Sequence, residues 1–293
     1  MDFDHWHTGM YSGRGSMKFV KMHGLGNDFL IFDCLENGDS EHAPVWLNAE
    51  RVQKLCDRHY GIGADGVICV LPSKVADFRM LICNADGSRA QMCGNGIRCI
   101  GKYVSDHGKT EQENLRIETD AGVRQLRLDK GTDRVAVTAV RVDMGTPEFV
   151  PEHISARFSY TGVSMGNPHC VIFLNKKEEL DQIPMEVYGT EMEHHPAFPN
   201  GTNVEFAWIQ DAGHIFVRVW ERGCGETKAC GTGACAVAAA AMRMRKCAMS
   251  VVVVLPGGEL RVTYGTRSRH LYLTGPAEEI FSGEKLRLFG SIP

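Results

Sequence analysis

Two segments of the sequence place a cysteine directly before a glycine-flanked helix start, where a thiol can act as an acid or a base. In the second half, Cys230-Gly231-Thr232-Gly233 precedes an alanine-rich stretch, Ala234 to Met242. In the first half, Cys93-Gly94-Asn95-Gly96 precedes another helical pattern. Unpaired backbone N–H groups and the positive end of the macrodipole lower the pKa of such a thiol. We therefore expect two activated cysteines, although a cysteine before a helix is more often buried and inert.

The surroundings of the two cysteines repeat along the chain. Cys93 lies nine positions after Asn84, and Cys230 lies nine positions after Glu221. Other landmarks keep similar distances from the two cysteines, namely Asn27 and Asn167 before them and the turn glycines Gly122 and Gly258 after them. Coincidence does not produce four aligned landmarks, so the spacing predicts two homologous lobes.

Short strand patterns surround each predicted helix. The alternation predicts strands at 17–22, 29–33, 67–71, 78–83, 115–119, 123–128 and 135–144 in the first half, and at 170–174, 206–210, 215–220, 250–255 and 259–264 in the second. Further helices are expected from Asn48 to Gly61 and near 184–194. The alanine helix has no polar face and must be enclosed. The fold class is therefore α+β (mixed α/β), with two pseudo-symmetric lobes, each a curved, mainly antiparallel sheet wrapped around a central helix.

The same pattern predicts where the lobes begin and end. We expect an N-terminal lobe at 17–140, completed by 279–293, and a C-terminal lobe at 141–278. Residues 1–16 are polar and glycine-bearing without an apolar segment of the signal-peptide kind, so they are interpreted as a flexible extension.

The composition excludes several classes of function. A chain of 293 residues with a net charge of −4 offers no electrostatic case for binding nucleic acid or an anionic membrane. No apolar run approaches the roughly 20 residues of a membrane-spanning helix. The odd number of cysteines, eleven, and the lack of an export signal predict a cytoplasmic protein with reduced thiols.

A metal site is not expected beside the cysteines. Zinc sites use close pairs such as Cys-x2-Cys, whereas Cys93 and Cys99 have five residues between them, as do Cys224 and Cys230. A non-catalytic thiol or zinc-binding module is kept as the alternative from another class of protein.

Two thiols on matching lobes suit the inversion of a carbon centre. If the lobes face each other, one thiolate removes a proton from one side of the carbon and the opposed thiol delivers a proton to the other. Backbone N–H groups at the helix starts stabilise the carboxylate and the negative charge that develops beside it. This chemistry needs no metal and no organic cofactor.

Several motifs together resemble the diaminopimelate epimerase family. The resemblance covers the chain from Met17 to about Leu286 and rests on segments 22–29, 84–87, 93–96, 166–169, 221–223 and 230–233. It implies cofactor-independent interconversion of LL- and meso-2,6-diaminopimelate, on the route to lysine and peptidoglycan precursors. Proline or hydroxyproline racemases and phenazine-biosynthesis-type isomerases share the fold and part of the pattern, and a proline or hydroxyproline racemase is the alternative enzyme.

The resemblance also implies roles for individual residues. Cys93 and Cys230 are the acid/base pair. The expected substrate-binding residues are Gly94, Asn95, Gly231 and Thr232 for the carboxylate at the reacting carbon, Asn84, Asn167, Asn203 and Arg222 for the distal carboxylate, Glu221 for the distal ammonium, and Asn27 as a lining residue. His169 either tunes a catalytic thiol or orients the turn after Pro168. The sequence is compatible with a homodimer without predicting one.

Two positions depart from the family pattern. Gly66 stands where some members carry a glutamine, so a side-chain contact from that turn is missing or comes from elsewhere. Cys224 stands where a small residue such as alanine is usual, and we interpret it as a small filler in a tight turn.

Overall fold

Short strands make up most of the regular structure. The computed structural model describes residues 17–36, 42–132, 135–150, 153–154 and 157–285, so the extension expected at 1–16 lies outside the described residues. The helices are α1 (Ala49–Cys56), α2 (Gly94–Asp106), α3 (Lys177–Gln182), α4 (Met185–Glu193) and α5 (Gly231–Arg243).

The strands follow the predicted order and add several short ones. Those before α5 are β1 (Met17–Gly24), β2 (Asn27–Asp33), β3 (Gly66–Leu71), β4 (Phe78–Asn84), β5 (Arg89–Ala90), β6 (Asn114–Thr119), β7 (Gly122–Lys130), β8 (Val137–Gly145), β9 (Glu148–Phe149), β10 (His153–Ile154), β11 (Ser159–Ser164), β12 (Pro168–Leu174), β13 (Asn203–Asp211), β14 (His214–Glu221) and β15 (Gly225–Thr227). Those after α5 are β16 (Ser250–Leu255), β17 (Gly258–Tyr264), β18 (Leu271–Gly275) and β19 (Glu278–Lys285).

The chain divides into two compact units. The division falls after Val140, and the chain returns to the first unit at Ala277, so the second unit is Arg141–Pro276. The return is made by β19, which pairs antiparallel with β1 from Met17 opposite Lys285 to His23 opposite Glu278. Residues 286–293 lie outside the described part of the chain.

Within the first unit, a hairpin leads into a mixed sheet. β1 and β2 pair antiparallel, and β2 then pairs parallel with β3 after the chain has passed through α1. β3 and β4 are antiparallel, β4 pairs parallel with β6, and β6 and β7 form a hairpin. The helix α2 connects the parallel pair β4 and β6, so its N-terminus lies at the carboxyl end of β4.

The second unit repeats this sequence of pairings. β11 and β12 form the hairpin, β12 pairs parallel with β13, and β13 and β14 are antiparallel. β14 then pairs parallel with β16, and β16, β17 and β18 continue as an antiparallel meander. The parallel pairs were not predicted, whereas the fold class, a mixed α/β fold with curved, mainly antiparallel sheet, is confirmed.

Each unit encloses its long helix, as predicted from the absence of a polar face on the alanine helix. α5 contacts β11, β12, β13, β14, β16, β17 and β18, and its side chains are buried from Gly233 to Met242. α2 contacts β1, β2, β4, β7 and β19 of the first unit. A helix of small residues lets strands approach from every side, so these contacts hold the helix N-terminus, and the cysteine that caps it, in a fixed place.

Three features of the described residues bear on the type of protein. No helix among them is long and apolar enough to cross a membrane. No disulfide bond joins any of the eleven cysteines, all of which are described. In that same part of the chain, no three His, Cys, Asp or Glu side chains are grouped to hold a metal ion.

Candidate active site

Cys93 caps the N-terminus of α2 with its own side chain. Its backbone is extended, and Sγ accepts a hydrogen bond of 3.5 Å from the backbone N–H of Gly96. The backbone N–H groups of the first helical turn have no partner inside the helix, so a thiol that caps the helix meets their positive charge. Cys93 as a whole is partly exposed.

Asn27 joins Cys93 to Asn95. Its Oδ1 accepts 3.1 Å from Nδ2 of Asn95 and lies 3.8 Å from Sγ of Cys93. Its Nδ2 donates to a carboxylate oxygen of Asp65 at 3.0 Å. Because Asp65 accepts, the amide of Asn27 has one orientation, with its oxygen toward the thiol and Asn95.

A buried arginine supports the same helix start. Arg98 has no exposed surface and donates to the carbonyl of Gly94 at 2.9 Å and to Oδ1 of Asn95 at 3.0 Å. The side-chain oxygen of Asn95 therefore accepts a hydrogen bond from Arg98, and its nitrogen donates one to Asn27. These two bonds define the orientation of the amide. A buried guanidinium is costly to desolvate, so its location beside the predicted carboxylate-binding turn favours an anion there.

Asp28 and Asp65 anchor the turn that carries Asn27. Arg58 donates to Asp28 at 2.7 and 3.2 Å and to Asp65 at 2.7 Å, and Lys21 lies 2.9 Å from Asp28. Burial by itself raises the pKa of Asp28, but the hydrogen bonds from Arg58 and Lys21 outweigh it and hold the pKa well below its usual range. The turn after β1 is therefore held by charge-assisted bonds.

Cys230 caps α5 in the same way as Cys93 caps α2. Its Sγ accepts from the backbone N–H of Gly233 at 3.4 Å, and the hydroxyl of Thr232 lies 3.5 Å from the sulfur. The side-chain amide of Asn167 donates to that hydroxyl at 3.4 Å. Thr232, Asn167 and Cys230, all predicted site residues, are thus brought together in the second unit.

The expected low pKa is wrong for Cys230. Burial raises the pKa of its thiol well above the ordinary value, and the negative charges of Glu221 and Glu205 raise it further. The hydrogen bonds from Thr232 and Gly233 act in the opposite direction but are weaker. The helix start alone predicted a lowered pKa, whereas burial beside Glu221 and Glu205 shifts the pKa of this thiol in the opposite direction.

His169 lies between Asn167 and an acid that the sequence did not single out. Its Nε2 lies 3.1 Å from Oδ1 of Asn167, and its Nδ1 lies 2.7 Å from Oε1 of Glu205. The imidazole has no exposed surface. His169 therefore orients Asn167, which in turn contacts Thr232.

The turn after β14 carries the predicted distal clamp. The backbone N–H of Arg222 donates to Oδ1 of Asn203 at 3.0 Å, and its guanidinium donates to the carbonyl of Asn200 at 3.0 Å. Nδ2 of Asn203 donates to the carbonyl of Pro168 at 3.1 Å. In this state Asn203 joins two loops through its amide, and its part in binding substrate stays a prediction.

Glu221 lies beside the second cysteine. Its Oε1 accepts a hydrogen bond of 2.5 Å from the hydroxyl of Thr227. Burial raises the pKa of Glu221, while hydrogen bonds from Thr227 and Cys230 lower it. The carboxylate thus faces both the thiol of Cys230 and the hydroxyl of Thr227 on β15, which suits a group that contacts the substrate.

Asn84 lies at the end of β4, opposite Gly66 on β3. It is exposed, and its Nδ2 donates to the hydroxyl of Ser88 at 3.0 Å. A β-carbon at Gly66 would lie 2.6 Å from the carbonyl of Cys83, so this backbone leaves no room for a side chain there. The distal-carboxylate role of Asn84 remains a prediction.

Sequence reasoning missed the residues that hold the site residues in place. They are Asp65, which orients Asn27, Arg98, which holds Asn95, Glu205, which holds His169, and Glu193, which accepts from the N–H of Gly223 at 2.9 Å. Glu205 alone had an accessible signal. When the two halves of the sequence are aligned, Glu205 falls where the first half has the apolar residue Ile68.

Comparisons with known proteins agree with this geometry. The family described as "Diaminopimelate epimerase" matches residues 19–150 and 161–280. A diaminopimelate epimerase of Desulfitobacterium hafniense is 46% identical over 284 residues, which cover 91% of this chain and 97% of the relative. A diaminopimelate epimerase of Acetivibrio thermocellus is 43% identical over 285 residues, covering 92% and 98% respectively.

A solved structure extends the likeness to the fold. A hydroxyproline epimerase from Agrobacterium vitis, with trans-4-hydroxy-L-proline bound, has a TM-score of 0.69 and 15% sequence identity, covering 94% of this chain and 93% of its own. At that identity the likeness is one of fold alone. The sequence relatives and the family match, in contrast, span both cysteine motifs and nearly the full length of each protein, and so the chain belongs to the diaminopimelate epimerase family.

Proposed function

We propose that this protein interconverts LL- and meso-2,6-diaminopimelate without a cofactor, using Cys93 and Cys230 as the acid/base pair. The observation that carries the proposal is the equivalence of the two cysteines. Each caps its helix through a sulfur that accepts from the second glycine of the motif, at 3.5 Å for Cys93 and 3.4 Å for Cys230. Inversion at one carbon needs two such groups, because a single base returns the proton to the face from which it came.

In one direction of the proposed reaction, Cys230 delivers a proton to one face of the α-carbon. Cys93 removes the α-proton from the opposite face, and the two roles exchange in the reverse direction. The mechanism requires both sulfurs to lie within hydrogen-bond reach of the same carbon.

The helix starts supply the groups that bind the reacting end of the substrate. The backbone N–H groups of Gly94, Asn95, Gly231 and Thr232 belong to first helical turns, where an anion is favoured. Negative charge that develops beside the α-carboxylate during proton removal is stabilised by the same donors. No step of this scheme uses a metal or an organic cofactor.

The distal end of the substrate determines specificity. Diaminopimelate has a second amino-acid end, and Glu221 and Arg222 supply one charge of each sign for it. Arg222 can engage a carboxylate through two parallel hydrogen bonds, and Asn84, Asn167 and Asn203 add amide groups. Proline and hydroxyproline have no second zwitterion, so this set of residues favours diaminopimelate.

The remaining parts of the proposal concern organisation and location. The units divided at Val140 and Pro276 would be the two lobes, each contributing one cysteine. A cytoplasmic location and a role in lysine and peptidoglycan-precursor synthesis follow from the proposed substrate. Family membership supports an amino-acid substrate, while a homodimer has no support in the described residues.

The test is incubation of the purified, reduced protein with LL-diaminopimelate in deuterated water. We expect meso product with deuterium at the inverted α-carbon and none at the other one. Hydroxyproline under the same conditions should remain unchanged. Inversion of hydroxyproline with no reaction of diaminopimelate would assign the chain to the alternative enzyme, and inertness of both would refute the proposed reaction.

A further inference from the structure

Glu205 is a fully buried acid to which the proposed chemistry assigns no contact with the substrate. It lies on β13, and it and His169 have no exposed side-chain surface. One carboxylate oxygen meets Nδ1 of His169 at 2.7 Å. The other, Oε2, is buried and accepts no hydrogen bond from the residues that the structure describes. Removing a carboxylate from water is costly, so packing alone does not explain its presence.

The first unit shows that the fold does not need this charge. The strand registers make Ile68 the counterpart of Glu205, and Phe29 the counterpart of His169. An apolar pair therefore occupies in the first unit the two positions that a charged pair occupies in the second. Since the strand pairings around both pairs are the same, the acid and the imidazole serve something other than the fold.

Ile68 and Glu205 each pack against the second glycine of the cysteine motif in their own unit. A β-carbon at Gly96 would lie 2.8 Å from Cδ1 of Ile68, and one at Gly233 would lie 2.7 Å from Oε1 of Glu205. The carboxylate thus contacts the first turn of α5, where the macrodipole favours a negative charge. This contact places it directly beneath the turn that Cys230 caps.

A chain of hydrogen bonds connects Glu205 with the catalytic sulfur. From His169 it passes to Oδ1 of Asn167 at 3.1 Å, from Nδ2 of Asn167 to the hydroxyl of Thr232 at 3.4 Å, and from that hydroxyl to Sγ of Cys230 at 3.5 Å. Asn167 uses its nitrogen toward Thr232, so its oxygen faces the imidazole. The carboxylate of Glu205 and Oδ1 of Asn167 are both acceptors, and the ring can donate to both of them only when each of its nitrogens carries a proton.

We propose that Glu205 is a positioning residue, which holds His169 in its doubly protonated form and thereby orients Asn167 and the Thr232 hydroxyl toward Cys230. The proposal rests on the proposed function, because it assigns Glu205 to that same site. The charge of the carboxylate matters as well as its hydrogen bond, since a neutral partner gives the imidazolium no counter-charge in a buried position.

The substitution Glu205→Gln separates charge from shape, because the amide keeps the size of the side chain and one acceptor oxygen. We expect kcat/KM to fall about 10- to 100-fold. The fall must be the same in both directions, since the equilibrium constant belongs to the substrates. The matched control is Asp143→Asn, which neutralises the acid of another histidine–carboxylate pair of the second unit, 2.9 Å from His270, and should leave activity unchanged.

The ring protons of His169 give a readout that does not depend on turnover. In protein labelled with 15N-histidine, identified by comparison with His169→Gln, we expect two ring N–H groups at neutral pH in the wild type and one in folded Glu205→Gln. A single ring N–H in the wild type overturns the proposal, as does Glu205→Gln with wild-type kcat/KM.

The wild-type spectrum decides the question even if the variant does not fold. It also separates this proposal from the proposed function. Two ring N–H groups in a protein that leaves diaminopimelate unchanged would refute the reaction while supporting the arrangement around His169. An active enzyme in which His169 has one ring N–H would support the reaction and refute the role proposed for Glu205.

Discussion

Oδ1 of Asn27 accepts a hydrogen bond of 3.1 Å from Nδ2 of Asn95, although the two residues are 68 positions apart in the chain. The same oxygen lies 3.8 Å from Sγ of Cys93. One amide oxygen therefore serves both a predicted base and a predicted carboxylate-binding residue. Because Asp65 holds the nitrogen of Asn27, this oxygen cannot turn away without losing a bond to a carboxylate.

Replacing Asn27 with alanine should lower kcat/KM by about 10- to 100-fold, since Cys93 and Asn95 then lose the acceptor that orients them. The measurement is the rate of epimerisation at saturating and at low substrate concentration, with folding checked by circular dichroism. Asn114→Ala is the control, because Asn114 is an exposed asparagine at the start of β6. Equal activity of both variants would remove Asn27 from the site.

The hydroxyl of Thr227 has a comparable role at the second cysteine. It donates to Oε1 of Glu221 at 2.5 Å, and this bond lowers the pKa of Glu221, against the burial that raises it. Without the hydroxyl, the pKa of Glu221 rises further. A proton on Glu221 removes the charge proposed to bind the distal ammonium, so activity is lost as pH falls through this pKa.

We therefore expect Thr227→Val to move the acidic limb of the kcat/KM profile to higher pH. Thr263→Val is the matched control, since it removes a hydroxyl whose partner, at 3.0 Å, is the hydroxyl of Ser250. An acidic limb that stays in place, or moves to lower pH, would contradict the role given to Thr227.

The helix starts of the site could be predicted from the sequence because their signals are local. The pattern Cys-Gly-x-Gly, with a polar residue at x, predicts a tight, N-capped helix start. In both copies the cysteine sulfur accepts a hydrogen bond from the backbone N–H of the second glycine, as such a cap does. The repeated spacing then predicts the same elements twice. The fold class and the family follow from these signals, and both are confirmed.

Features that depend on distant packing could not be predicted in the same way. The strands β2 and β3 pair parallel. Their pattern of apolar and polar residues would be the same in an antiparallel pair, so the sequence does not predict the direction of pairing. Glu205 precedes the strand predicted at 206–210, and nothing local predicts its burial, whereas in the structure it lies on β13 with no exposed surface. The pKa of Cys230 is missed for the same reason, because burial outweighs the local effect of the helix terminus.

Replacement of either cysteine should end epimerisation. In Cys93→Ala and in Cys230→Ala, we expect the rate of inversion to fall by about 1,000-fold or more, because each variant lacks the group on one face of the carbon. If the α-proton still exchanges with deuterated water, each variant should exchange it in only one of the two isomers. The isomer that exchanges should differ between Cys93→Ala and Cys230→Ala. Proton NMR of each isomer in deuterated buffer measures both quantities.

The control for this pair is Cys247→Ala, which removes a partly buried thiol after the end of α5 and should keep wild-type turnover. A single variant of Cys93 or Cys230 that still inverts both isomers at near-normal rates would refute the two-base mechanism. Loss of activity on oxidation, with recovery in reductant, is expected for the wild type because both sulfurs must be reduced.

Buried thiols make the stability of the protein depend on pH in the alkaline range. Burial raises the pKa of Cys99 from 9.0 to about 12, and the residue has no exposed surface. Above pH 9 the unfolded chain releases this proton and the folded chain keeps it, so the free energy of unfolding falls as pH rises. The contribution is complete below pH 9 and lost as pH rises toward 12, by about 1.4 kcal/mol per pH unit.

In Cys99→Ala this part of the slope should disappear, leaving a shallower decline than in the wild type. Urea unfolding at several pH values between 9 and 12 measures it. Val104→Ala is the matched control, since it also creates space on the buried face of α2 but carries no titratable group. It should lower stability by a similar amount at every pH. Parallel curves for wild type and Cys99→Ala would show that the folded chain releases this proton as readily as the unfolded one.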